Sequence, residues 1–169
     1  MKNSIPFILL ITWFIPGLLY CQQKTEPDFY RMLDEMYKKT VPLIHAGEVK
    51  QKGLSQFIIL DTREPEEYNV SHIPGAKVAG YDHFDPAVVA SVPKDQPVLV
   101  YCSVGYRSER IGEKLQSMGF SRVYNLYGGI FDWKNQGNTV VGPDQKPTEK
   151  VHTYNRQWSQ WLFRGQKVF

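Results

Sequence analysis

The chain has 169 residues, enough for one ordinary domain with a real core and too few for two large ones. Hydrophobic residues make up 42% and charged residues 22%, which argues against intrinsic disorder and against a polytopic membrane protein. The formal charge is only +3, without the Lys/Arg clustering of a nucleic-acid surface, and two cysteines with no paired Cys/His spacing give neither a disulfide scaffold nor structural zinc.

Met1-Lys2-Asn3-Ser4 precedes an apolar run from Ile5 to Tyr20 that Pro6 and Pro16 interrupt. One positive charge before a short apolar stretch is the pattern of a secretory signal, and about 16 residues fall short of the roughly 20 that a spanning helix needs. Residues 1–21 are therefore expected to be a signal peptide or membrane-anchor segment, which predicts an exported protein of the periplasm or cell envelope. Leu18-Leu19-Tyr20-Cys21 resembles a bacterial lipobox, except that Tyr20 stands where that motif wants a small residue. Three fates stay open: a lipidated Cys21 that tethers the chain to a membrane, a cleaved soluble protein, and an uncleaved anchor. If Cys21 is lipidated or removed, Cys102 is the one thiol left and has no internal disulfide partner.

Residues 22–40 are expected to hold an N-terminal helix, because Phe29, Leu33, Met36 and Tyr37 form one stripe at helical spacing and Thr25 with Asp28 can cap it. Val41 to Ile44 reads as a short extended piece, and Ala46 to Lys52 as a short helix closed by Gly53. Phe57-Ile58-Ile59-Leu60 and Val98-Leu99-Val100-Tyr101 are continuous apolar runs, the mark of parallel strands covered on both faces. Ala76 to Ala79 is a weaker strand, Asp85 to Val92 a helix with Pro86 in its first turn, Tyr106 to Met118 a helix ended by Gly119, and Arg122 to Leu126 a strand. Gly128-Gly129 makes a turn into a short helix, Ile130 to Asn135. This alternation predicts an α/β sandwich with right-handed crossovers over residues 41–142. Gly142 to Pro147 is a linker by composition, and Val151, Tyr154, Trp158, Trp161 and Leu162 predict an aromatic C-terminal helix within residues 143–169, packed on the domain rather than facing a partner.

Ligands of open α/β sheets bind outside the carboxyl ends of the strands, where Cys102 falls. The segment Cys102-Ser103-Val104-Gly105-Tyr106-Arg107-Ser108 joins a buried strand to a helix. A loop curled around a sulfur aims several backbone N–H groups inward, and the helix adds its positive end, so the site favours an anion such as a thiolate. Gly105 lets the backbone turn, and Arg107 offers a fork of donors to an oxyanion. Asp61 and Arg63 are read as an ion pair supporting the site, His72 as a packing residue, Trp133 as core, and Glu109 with Arg110 as a solvated helix face. His45, His83 and His152 share no metal-ligand spacing.

Four motifs in order then resemble the rhodanese-like sulfurtransferase family. They are the six-residue loop Cys102 to Arg107, Asp61-Thr62-Arg63-Glu64-Pro65-Glu66-Glu67-Tyr68, Ser71-His72-Ile73-Pro74-Gly75-Ala76 (Ser where the family has Gly), and Leu126-Tyr127-Gly128-Gly129-Ile130 with Trp133. The resemblance implies a three-layer α/β/α sandwich around a parallel five-stranded sheet. It implies catalysis by Cys102, substrate binding by Ser103, Val104, Gly105, Tyr106, Arg107 and Ser108, and no metal or organic cofactor. The partners implied are a small sulfur-containing anion, such as thiosulfate, and an acceptor thiol or cyanide, joined through a persulfide. Phosphatases on this scaffold need Cys, five residues, then Arg; here four residues separate Cys102 from Arg107, which disfavours that chemistry, while arsenate reduction stays open. The alternative is a non-catalytic rhodanese-like binding module using the aromatic tail. The sequence leaves the oligomeric state open.

Overall fold

The two continuous apolar runs become neighbouring parallel strands at the centre of a computed structural model that describes residues 24–169. The expected signal segment and Cys21 lie outside the described residues. Five strands pair in parallel: β1 (Leu43–Ile44), β2 (Ile58–Asp61), β3 (Lys77–Val78), β4 (Val98–Tyr101) and β5 (Val123–Leu126), in the order β1-β5-β4-β2-β3.

Alternate side chains along these strands feed two separate cores. Ile59, Leu99, Tyr101 and Leu126 pack with α1 (Glu26–Met36), α2 (Ala46–Lys52) and α5 (Gly129–Asn135). Leu60, Val98, Val100 and Val123 meet Ile111 and Leu115 of α4 (Tyr106–Ser117) on the other face. Helices on both faces give the three expected layers, and they explain why these strands lack a polar face. The Thr25/Asp28 capping box starts α1, and Pro65 opens α3 (Pro65–Val70).

Three expectations change. The segment after Asp85 forms only a 3-10 turn, Pro86–Val89. The supposed linker is the turn of a hairpin, in which β6 (Val140–Val141) pairs antiparallel with β7 (Pro147–Thr148). The C-terminal helix is a single turn, α6 (Arg156–Ser159), set between two parallel strands, β8 (Lys150–His152) and β9 (Gln166–Val168). Of its stripe at helical spacing, Val151, Trp161 and Leu162 pack into the core beside Phe29, whose ring lies 5.8 Å from that of Trp161, while Trp158 is half-buried and Tyr154 exposed. The tail therefore packs on the domain through a different secondary structure. No helix among the described residues is long and apolar enough to cross a membrane.

Candidate active site

Cys102 directly follows β4 at the carboxyl end of the sheet and is 1% exposed, at the floor of a cavity of about 450 Å3. The loop after it is held by its carbonyl oxygens. Cys102 O accepts from Ile130 N (2.9 Å) and Ser103 O from Phe131 N (3.1 Å), both at the start of α5. Val104 O accepts from the Tyr37 hydroxyl (2.5 Å), and Gly105 O from Asn125 Nδ2 (2.9 Å) and Glu109 N (3.2 Å). With the carbonyls engaged outside the loop, its N–H groups remain for the sulfur. Gly105 N donates to Cys102 Sγ at 3.1 Å. The N–H groups of Tyr106, Arg107 and Ser108, in the first turn of α4, have no acceptor among the described residues. The sulfur thus receives one loop N–H where the sequence suggested several, and three more stand free at the positive end of a 12-residue helix.

Two glycines make this geometry sterically feasible. Gly105 has φ 97°, and a Cβ there would overlap the Tyr37 hydroxyl. A Cβ on Gly129 would overlap the Cys102 carbonyl, which accounts for the glycine that opens α5. Tyr37 itself escaped notice as a site residue because its spacing read as core. Its hydroxyl also accepts from Gly128 N at 2.9 Å, so one phenol joins the Cys102 loop to the α5 turn. Burial raises its pKa well above the ordinary tyrosine value, which keeps that hydroxyl a donor.

Arg107 does not reach into the cavity as a free fork. Its Nη1 and Nη2 donate to Glu67 of α3 at 2.7 and 2.8 Å, and Nη2 also to Ser103 Oγ at 3.1 Å. Burial works against the Glu67 carboxylate, and the Arg107 contacts more than reverse this, so its pKa lies below the usual range. Burial likewise opposes the Arg107 charge, while Glu67 and the neighbouring Cys102 sustain it. Glu67 stood inside the Asp61–Tyr68 motif without a role of its own; in the structure its Oε2 accepts from Glu64 N at 3.2 Å. Nothing local marks its second partner, 40 residues on.

The other expected residues separate. Ser103, Val104 and Tyr106 line the cavity with Cys102 and Arg107. Ser108 is fully buried, and its hydroxyl donates to Asn125 Oδ1 at 2.7 Å, so its side chain supports the loop and does not face substrate. Asp61 and Arg63 are fully buried and paired (Nε–Oδ1 2.9 Å, Nη2–Oδ2 2.6 Å); Arg63 also binds Ser71 O, and Tyr101 donates to Asp61 at 2.8 Å. This group ties together the ends of β2 and β4 and the 71–73 turn. His72 stacks on Tyr68, 3.9 Å between ring centroids, away from the cavity. Trp133 is core and donates to Thr139 O. Glu109 is not solvated: it is fully buried and accepts from the N–H groups of Lys38 and Thr40, which fixes the chain leaving α1. Arg110 bridges it to Glu113.

A buried thiol at a strand end that accepts one loop N–H, with unbonded N–H groups in the helix turn that follows, is an arrangement able to support cysteine nucleophilic chemistry on anionic or sulfur-bearing groups. Residues 45–136 match the rhodanese-like domain model, and the chain belongs to that family. A sulfurtransferase of Allochromatium vinosum is 34% identical over 105 residues, covering 58% of this chain and 97% of that protein. Thiosulfate sulfurtransferase GlpE of Stutzerimonas stutzeri is 30% identical over 108 residues, 64% of this chain and 95% of the relative. Among solved structures, the rhodanese-like domain of an Anabaena protein superposes with a TM-score of 0.54 at 29% identity, covering 60% of this chain and 79% of that domain. The named relatives are sulfurtransferases, and what this chain shares with them is the rhodanese-like domain.

Proposed function

We propose that the protein moves a sulfane sulfur from a donor such as thiosulfate to an acceptor thiol or cyanide through a Cys102 persulfide. The Cys102 thiolate attacks the outer sulfur of the donor; the Sγ–S bond forms, the S–S bond of thiosulfate breaks, and sulfite leaves with the electron pair. The free N–H groups of Tyr106, Arg107 and Ser108 then solvate the terminal sulfur anion of the persulfide. An acceptor thiolate attacks that outer sulfur and Cys102 departs as the thiolate, so no net redox change occurs and no cofactor enters. The Arg107–Glu67 pair holds the helix start against α3.

The observation that carries this reading is the division of the loop backbone: four carbonyls bonded away from the loop, one N–H on the sulfur, and three more without an acceptor among the described residues in the helix turn that follows. The test is thiocyanate formation from thiosulfate and cyanide, with intact mass before cyanide. Wild type should gain one sulfur atom and turn over; Cys102→Ala should do neither. If both proteins are equally inert toward every low-molecular-weight sulfur donor, the reading fails. We also propose, from residues 1–21, that the protein is exported; the mass of the mature N-terminus in membrane and periplasmic fractions tests this and reports any lipid on Cys21.

A further inference from the structure

The family model ends at residue 136, yet the cavity over Cys102 is completed from both sides of it. Met36 arrives from the end of α1, and Tyr154 and Trp158 from the C-terminal segment, facing Val104 and Tyr106 of the loop. These walls are set in place. Tyr154 holds φ 63°, its N–H donates to His152 Nδ1 (3.1 Å), and its ring lies 5.6 Å from Arg107 Cζ. Asn155 caps the turn by accepting from Trp158 N at 3.0 Å, and β8 packs against α3. Tyr106 and Tyr154 remain 45% and 58% exposed, so internal packing does not account for them.

A cavity of about 450 Å3 is the size of an organic ligand's pocket, far larger than thiosulfate or cyanide requires. Its electrostatics point the same way. Arg107 is the cation of the lining, and Glu67 already occupies its fork; no lysine joins it among the described residues, while Glu64 and Asp82 add two carboxylates at the rim. A small donor such as thiosulfate needs only the backbone donors at the sulfur, but the larger body of an acceptor meets no unpaired cation among the described residues and like charge at the mouth if it is anionic, and aromatic walls to cover if it is apolar.

We propose that the acceptor is an uncharged organic thiol with an aromatic or branched aliphatic body, seated against Met36, Tyr106, Tyr154 and Trp158. The inference rests on the persulfide reading above. The acceptor thiolate attacks the outer persulfide sulfur, its S–S bond forms as the Cys102 Sγ–S bond breaks, and the product leaves as an organic persulfide.

The test loads the full chain with thiosulfate, removes excess donor, and follows loss of the added sulfur by intact mass after mixing with 2-phenylethanethiol or 2-mercaptoethanesulfonate. Each rate is normalised to that of the same thiol with a free low-molecular-weight persulfide. The aromatic thiol should be preferred at least ~10-fold, and Trp158→Ala or Tyr154→Leu should each cut that preference by about threefold or more, as expected when an apolar contact returns to water. A wild-type ratio near or below one overturns the proposal, as does a ratio unchanged in both variants once circular dichroism confirms their folds; if neither variant folds, the wild-type ratio decides. A protein that never gains sulfur sinks the persulfide reading and this one together. One that gains it and discharges equally to both thiols sinks this one alone.

Discussion

Glu67→Gln keeps the size of a side chain and removes its charge at the contact between α3 and the catalytic loop. Glu67 is 3% exposed and accepts from Arg107 Nη1 and Nη2, Ser103 Oγ and Glu64 N. Glutamine offers one oxygen in place of two and turns an NH2 toward an Arg107 donor. Breaking a buried ion pair costs about 3–5 kcal/mol, and the 17% exposure of the Arg107 side chain lets water recover part of it, so about 2–3 kcal/mol is expected at neutral pH. The pH dependence has a definite sign. The Glu67 carboxyl titrates below its ordinary range when folded, because the Arg107 contacts outweigh the opposing effect of burial. Its contribution is therefore present above the unfolded value near 4.3 and is lost as the pH falls through the folded one. Urea titrations over a pH series should place wild type above the variant at neutral pH and bring the two together in acid. A cycle with Arg107→Met should return a coupling of more than ~1 kcal/mol. A variant within about 0.5 kcal/mol of wild type at pH 7, the range of an ordinary surface change, would refute the reasoning.

Gly105→Ala should cost more than ~1 kcal/mol, because φ 97° disfavours a Cβ and that atom meets Tyr37; thermal unfolding measures it, and persulfide yield should fall with it. Tyr37→Phe leaves Val104 O and Gly128 N without their partner, at about 1–3 kcal/mol for each orphaned group, and should slow alkylation of Cys102 by iodoacetamide. Ser108→Ala should destabilise by about 1–3 kcal/mol through Asn125 while reducing thiosulfate turnover far less than Cys102→Ser does, since its side chain lies outside the cavity. Deleting residues 143–169 strips Val151, Trp161 and Leu162 from the core, at roughly 1.5–3 kcal/mol per side chain, and should yield insoluble protein; a soluble, folded truncation would contradict the packing role of the tail.

The central sheet was legible because a strand buried on both faces cannot hide its apolar run, as Val98 to Tyr101 illustrates. The Cys102 loop was legible for a local reason as well: a strand-end cysteine, a glycine and a helix start within seven residues. Residues acting across long separations were not. Glu67 read only as part of a motif and Tyr37 as one of a helical stripe, and their reach to Arg107 and Val104 exists only after folding. Glu109 looked solvated on its helix, yet the chain leaving α1 folds over it. The tail misled by periodicity: aromatic residues every three or four positions also suit a strand, one helical turn and a return strand, and tertiary packing chose that arrangement.

The position of β8, α6 and β9 after the domain that bears Cys102 has a consequence for biosynthesis. Residues 45–136 leave the ribosome ahead of residues 150–168, so a growing chain possesses Cys102 and its loop before it possesses Tyr154 and Trp158, which line the cavity above. Proteolytic trimming of those last strands would return a finished molecule to that stage, with Cys102 in place but Val151, Trp161 and Leu162 missing from its core.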